Sequence, residues 1–335
     1  MITLCIGSGG IKGFSYLGFC RFLEKKEILK SVGLYVGCSV GSLICLSLIC
    51  GCGVSDLLKE FLNTGFEELV EGGGTFEDMV TKVGIFDKRR MREYIIEFVQ
   101  KWLKDQDGGT LDAERLSFKE LRELTGRDLY VITANTDTYT KKIYGPELTP
   151  DEPCVDAVVA SCSIPFVIQG TEIPEGFLVD GALVDPIGLE VAFKYSTPGA
   201  RIFSCFFSFK PTSVSILRML QGGYYKPELL ERFWDQAEVS YPPPLEHSKA
   251  SQSSLVTNLL SHGQRLYRSF MESLVDNYVH RHIFENRTLE TPFALYLFPI
   301  PNFNANLISS AEKKVEMYFT GQDLSEKIGR GYLLL

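Results

Sequence analysis

The sequence predicts an α/β protein, and three observations carry that expectation. Short apolar runs of strand length alternate with longer segments whose apolar residues recur at helical spacing. Twice near the start such a run passes into a helix through small residues: Gly7-Ser8-Gly9-Gly10-Ile11-Lys12-Gly13 follows residues 2–6, and Gly37-Cys38-Ser39-Val40-Gly41 follows residues 34–36. The chain of 335 residues, 45% hydrophobic and 23% charged, is long enough for one large domain or two modest ones, each with a sizeable core.

Taken in order, residues 2–6 (Ile-Thr-Leu-Cys-Ile) are β-prone, and residues 14–26 place Tyr16, Leu17, Cys20 and Leu23 at helical spacing. Leu34-Tyr35-Val36 reads as a buried strand, and residues 43–50 as a buried helix ended by Gly51 and Gly53. A helix is expected over 54–69, then a flexible surface loop at Gly72-Gly73-Gly74. Met91, Ile95, Phe98, Val99, Trp102 and Leu103 share one face of a helix over 87–104, and 105–109 is a polar turn. Ser117-Phe118-Lys119-Glu120 has capping-box spacing for a short helix ending near Gly126. Residues 129–134 form a strand with 142–144 as hairpin partner, and 153–163 a helix of small residues stopped at Ile164-Pro165-Phe166. A strand over 176–182 runs into Asp180-Gly181, and 201–209 is a further apolar strand. Residues 210–249 are loop-rich, with Gly222-Gly223 and Pro242-Pro243-Pro244. Residues 254–284 form a long amphipathic helix that could pack on the core, cover the site as a lid, touch lipid, or form the seam of a homodimer. A last strand is expected at 293–301, and Ser309-Ser310-Ala311-Glu312 opens a final helix with a capping box.

The net charge of −8 and a pI near 5.2 argue against general nucleic-acid binding. Nine cysteines show no disulfide-like spacing and sit mostly in apolar runs, which reads as a reducing, cytoplasmic setting. No run approaches the ~20 apolar residues of a membrane span, and residues 2–6 read as a first strand rather than a signal peptide. Any membrane contact is therefore peripheral. No metal or cofactor is called for.

The chemistry concentrates in three motifs. Gly37-Cys38-Ser39-Val40-Gly41 fits G-x-S-x-G, in which a sharp strand-to-helix turn lifts a serine hydroxyl clear of the sheet. The glycine loop at 7–13 precedes a helix N-terminus, where successive N–H groups can cradle an anion. A dinucleotide fingerprint is disfavoured because the next strand ends in Gly37, not an acid; a Walker A loop is disfavoured because Lys12 is followed by Gly13-Phe14. An oxyanion hole remains, and it alone explains why a serine elbow comes on the very next strand. The third motif, Asp180-Gly181-Ala182, is by itself an ordinary turn signal.

In that order and spacing the three motifs resemble the patatin-like phospholipase family, over residues 2 to about 190. Gly9-Gly10-Ile11-Lys12-Gly13, the Gly37–Gly41 elbow, Ala160-Ser161-Cys162-Ser163-Ile164-Pro165 and Asp180-Gly181-Ala182-Leu183-Val184-Asp185-Pro186 carry the resemblance. The family's first motif is usually written G-x-G-x-x-G, and here its first position is Ser8. The resemblance implies a three-layer α/β/α fold with a mainly parallel central sheet and a helical insertion: a core over 1–209, an insertion or lid over 210–290, and a strand and helix over 291–335 completing the core. It further implies a lipid acyl hydrolase, acting on phospholipid or another acyl lipid at a membrane or micelle surface without cofactor. Ser39 would be the nucleophile and Asp180 the general base, with Gly37, Gly41, Gly181 and Ala182 supporting them. Gly9, Gly10 and Gly13 would hold the oxyanion, while Lys12 would contact a lipid phosphate or remain solvated.

Two rivals stay open at this level. An α/β-hydrolase with Ser, His and Asp fits the chain order, since His247, His262, His280 and His282 all follow Asp180. A catalytically silent lipid-binding module of the same fold is the other.

Overall fold

The structure, a computed structural model, describes residues 1–69, 75–103, 111–208, 293–299 and 310–332. The expected loop at 72–74, the turn at 105–109, the loop-rich 210–249, the helix at 254–284 with its lid and dimer readings, and all four histidines lie outside the described residues.

The chain opens β1 (Ile2–Ile6), α1 (Gly13–Lys25), β2 (Val32–Cys38), α2 (Val40–Ile49) and α3 (Val54–Asn63). Two short helices, α4 (Phe66–Leu69) and α5 (Phe76–Thr81), lead to α6 (Arg89–Leu103) and α7 (Phe118–Thr125). The hairpin β3 (Asp128–Asn135) and β4 (Thr140–Tyr144) is followed by α8 (Cys154–Ser161), β5 (Thr171–Ile173) and β6 (Gly176–Asp180). Then come α9 (Leu189–Tyr195), β7 (Arg201–Ser208), β8 (Phe293–Pro299) and α10 (Ala311–Tyr332).

The described strands form one sheet in the order β5-β6-β3-β2-β1-β7-β8, with β4 also on β3. Neighbours from β3 through β8 run parallel, while β4, β5 and β6 pair antiparallel. The sheet is thus mixed and mainly parallel.

Side chains alternate between two buried faces along every central strand. Leu4, Ile6, Tyr35, Val131, Phe203, Cys205 and Phe207 join the core beneath α1, α2, α6 and α8. Cys5, Leu34, Val36, Tyr130, Ile132, Ile202 and Phe206 point the other way, where Leu189, Val191 and Ala192 of α9 cover them. Tyr195 of α9 stacks on Tyr130 with ring centroids 4.4 Å apart. Helices on both faces of one sheet give the three-layer α/β/α architecture.

Some expectations change. The helix foreseen over 54–69 is broken: Thr64 is extended (φ −103°, ψ 113°) and the chain resumes as α4. Asn63-Thr64-Gly65 are all poor helix formers, and Leu58, Phe61 and Leu62 reach the core without the second segment. The last helix is capped by Ser310, whose Oγ accepts from Lys313 N at 3.3 Å. A lysine therefore occupies the third helical position, where a capping box needs Glu or Gln. By contrast the Ser117–Glu120 box is complete, with Gly126 closing α7 in the left-handed conformation. Neither β5 nor α9 was foreseen, since a three-residue strand and a seven-residue helix carry almost no periodicity.

The registers place the site. β2 pairs with β3 from Leu34↔Asp128 to Cys38↔Ile132, and β4 pairs with β3 over Val131–Asn135. These overlap at Val131 and Ile132, so β2 and β4 hold opposite edges of β3. β6 pairs with Thr133–Asn135, also matched by β4, and so shares the edge of β2. It runs antiparallel and ends with Asp180 opposite Thr133. β2 and β6 therefore approach end to end, their C-terminal residues opposite consecutive residues of β3.

Candidate active site

Ser39 stands at the tip of the turn between β2 and α2, at φ 56° and ψ −131°. A side chain at positive φ is strained, and the turn persists because its surroundings fix it. A Cβ on Gly37 would sit 2.3 Å from Ser42 Cα, and one on Gly41 would sit 2.1 Å from Ile6 O. Both obstacles are backbone, so the elbow closes only with glycine at these positions. Ser39 N donates to Ser161 Oγ at 2.8 Å, and Ser161 Oγ donates to Ile132 O at 2.7 Å. Ser39 O accepts from Ser42 N (2.8 Å) and Ser42 Oγ (2.6 Å). Helix α8 thus ties the elbow to β3.

Ser39 Oγ donates to Asp180 Oδ2 at 2.6 Å. The other carboxylate oxygen, Oδ1, accepts from Ala182 N at 2.9 Å, and Asp180 N donates to Ser163 O at 2.9 Å. Gly181 makes the turn possible, since a Cβ there would fall 2.2 Å from Ile132 O. Asp180 is 1% exposed and Ser39 4%. Burial disfavours the charged carboxylate and raises the Asp180 pKa from 3.8 to about 7, against the opposing hydrogen bonds from Ser39 and Ala182. A carboxylate poised there is matched to accepting a proton at neutral pH.

The glycine loop lies alongside. Gly7 N donates to Cys205 O and Ser8 N to Pro186 O, while Ser8 O accepts from Tyr16 Oη at 2.6 Å. Serine thus fits the first motif position through its backbone. Gly10 has φ +52° with no atom within 4 Å of its would-be Cβ, so its need for glycine is conformational. Among the described residues the N–H groups of Gly9 and Gly10 meet no acceptor. The Gly13 N–H, by contrast, donates to Gly10 O and Ile11 O within the turn. Gly13 serves instead by admitting Val40, whose Cγ2 would lie 2.8 Å from a Cβ there. Of the three expected donors, two have no acceptor among the described residues and one is committed.

These groups border a cleft of about 900 Å³, part of it open to solvent. Gly10, Gly13 and Ser39 lie on its wall beside Phe14, Leu43, Phe61, Met91 and Ile168. Lys12 is not on that wall; its ammonium sits 5.5 Å from the Phe207 ring centroid. The cation that does line the cleft is Lys314 of α10. Tyr94 is also a wall residue, and burial raises the pKa of its hydroxyl. No group of metal-ligating side chains occurs among the described residues. All nine cysteines are buried free thiols.

Sequence reasoning named Ser39, Asp180 and the glycines, and the structure brings them together. It assigned nothing to Ser42, Ser161, Ser163 or Lys314. Ser161 and Ser163 stood inside a recognised segment, but their partners are backbone atoms of other elements, which sequence spacing does not display.

The chain is similar to several known proteins. Over 199 residues the chain is 26% identical to the probable lipid hydrolase 463L of Invertebrate iridescent virus 6, covering 58% of this chain and 63% of that relative. The matched part is thus less than two thirds of the relative's length. Among solved structures, VipD from Legionella pneumophila overlays with a TM-score of 0.48 at 13% identity, covering 99% of this chain and 67% of that one. The type III effector ExoU, from Pseudomonas aeruginosa, gives a TM-score of 0.48 at 14% identity, covering 99% and 53%. The model of the patatin-like phospholipase family matches residues 4–193, more than half of the chain. With the glycine loop, the serine elbow and the Asp-Gly-Ala turn all inside that span, the chain belongs to the patatin-like phospholipase family.

Proposed function

We propose that this chain is a serine lipid acyl hydrolase of phospholipase A type, working through a Ser39–Asp180 dyad and an acyl-enzyme intermediate. The observation that carries the proposal is the 2.6 Å hydrogen bond from Ser39 Oγ to Asp180 Oδ2 at the wall of an apolar cleft. The carboxylate receives the serine proton directly, so no imidazole is needed between them.

In the first step Ser39 Oγ attacks the ester carbonyl carbon while its proton passes to Asp180 Oδ2. The tetrahedral oxyanion faces the N–H groups of Gly9 and Gly10, each such donor being worth ~10²–10³-fold in rate. Collapse breaks the bond to the alcohol oxygen, which leaves with the proton from Asp180, and the acyl group stays on Ser39. Water then attacks the acyl carbon and gives a proton to Asp180. The acid departs as that proton returns to Ser39 Oγ. The cleft wall of Phe14, Leu43, Phe61, Met91 and Ile168 suits an acyl chain. The substrate is reached peripherally, at a membrane or micelle surface, and no described helix is long and apolar enough to cross a membrane.

The test assays Ser39→Ala, Asp180→Asn and each of the four His→Ala variants on a fluorogenic acyl ester and on phospholipid vesicles. Ser39→Ala should abolish turnover, and Asp180→Asn should lower it by ~10²–10⁴-fold, the usual worth of a general base. The histidine variants should keep wild-type rates. Full activity in Ser39→Ala would sink both the dyad and the triad, an inactive wild type would favour the silent module, and loss on changing one histidine would replace the dyad with a triad. Because every proton and charge in the scheme has a protein group to receive it, added chelator should leave the rate unchanged.

A further inference from the structure

Lys314, Met317, Tyr318, Gly321, Leu324 and Ser325 recur at helical spacing along α10, and all are buried. This is the stripe that packs on α1, and the helices cross closely: a Cβ on Gly18 would lie 2.1 Å from Tyr318 O, and one on Gly321 2.1 Å from Ser15 O. An apolar residue would complete the stripe at 314. A lysine stands there instead, 8% exposed, on the wall of the cleft that also holds Ser39. Its ammonium lies 5.6 Å from the ring centroid of Phe14, another wall residue. Among the described residues it forms no ion pair.

The side chain is largely buried, yet its ammonium has only the Phe14 ring beside it, and a cation–π contact satisfies a cation only in part. An anion entering the cleft would complete the pairing. On the acyl-hydrolase reading, on which this inference rests for its chemistry, the substrate's carboxyl group is already engaged as the ester at Ser39. The anion at Lys314 must then be a second group on the same lipid. We propose that Lys314 is a specificity-determining residue that receives the phosphate of a glycerophospholipid, one of the two roles left open for Lys12.

The test uses the full chain and two uncleavable short-chain lipids below their micellar concentrations: a diether phosphatidylcholine and the diether glycerol of the same chains. The wild type should bind the phosphate-bearing ether at least ~10-fold more tightly. Lys314→Met should bind both alike, and Lys314→Arg should keep most of the preference. In the unmutated chain, the phosphate ether but not the diether glycerol should protect Lys314 from acetylation, read by peptide mass spectrometry, which decides the matter even if the methionine variant does not fold. Equal affinities in the wild type, an undiminished preference in Lys314→Met, or acetylation indifferent to the phosphate would each overturn the proposal. So would a Lys314-dependent preference confined to decanoate over decanol, which would mark a carboxylate site. Since neither ether can be cleaved, binding is read whether or not the chain turns over esters, and failure of the hydrolase reading would be seen separately, in the ester assay.

Discussion

Asp180 must be ionised to act as a base, yet it sits where ionisation is unfavourable. Its pKa near 7 implies that kcat/KM on a neutral ester falls about tenfold per pH unit below pH ~7 and levels off above it. A profile flat down to pH ~5 would rule out this carboxylate as the base. The same shift makes a statement about stability. In the unfolded chain the group titrates near ~3.9. The folded value is raised, so the stabilisation from keeping Asp180 protonated is complete below pH ~4 and is lost as pH rises through about 7. Above that pH the wild type carries a buried carboxylate at a cost on the order of 4 kcal/mol. Asp180→Asn should therefore raise Tm by several degrees at pH ~8 and by little at pH ~4, measured by calorimetry, even as it lowers activity by ~10²–10⁴-fold. Equal Tm changes at both pH values would refute this account.

Among the elements, the glycine-bounded turns separate space from conformation. Gly41→Ala drives a methyl into Ile6 O and Gly7 O, backbone atoms of β1 and its loop that cannot step aside. Gly10→Ala meets open space and bears only the strain of φ +52°, typically ~1 kcal/mol. The first should yield misfolded or inactive protein, and the second a folded protein with Tm lower by a few degrees; circular dichroism with a melting curve checks both. A well-folded Gly41→Ala would contradict the elbow geometry. The glycines of the elbow were legible in the sequence because they belong to a local motif with strand before and helix after. Gly18 and Gly321 were not, although each is as crowded, because their partners lie some three hundred residues away and each looks like an isolated glycine within a helix. Lys314 was hidden for a related reason. A lysine in a helix reads as solvated until the opposing helix shows which face is buried.

At the scale of the whole molecule, the sheet was legible in its strands but not in its order. Nothing in the sequence placed β6 end to end with β2 on one edge of β3, and that register is what delivers Asp180 to Ser39. The sheet also carries the last prediction. β8 pairs parallel with β7 from Ile202↔Phe293 to Ser208↔Pro299, so the connection from Ser208 must return the length of the strand to reach Phe293. Seven residues at ~3.3 Å make that span ~23 Å, and a parallel crossover needs a dozen residues or more. A Gly/Ser linker of ~20 residues has a mean end-to-end distance of ~25 Å. If residues 209–292 are an insertion, replacing them with such a linker should preserve the core, because α10 still closes on α1 through Gly18 and Gly321. The shortened chain should melt cooperatively and retain hydrolysis of a soluble ester at about the wild-type rate, since Ser39, Asp180, Gly9 and Gly10 all lie within the first 208 residues. A chain ending at residue 208 should aggregate instead, because β7 becomes a bare edge and the apolar face of α1 loses α10. The activity of the linker-shortened chain on phospholipid vesicles then reports on the deleted segment. Loss there with the soluble ester unaffected would mark residues 209–292 as the membrane-engaging part, whereas loss of cooperative melting would show that they belong to the core.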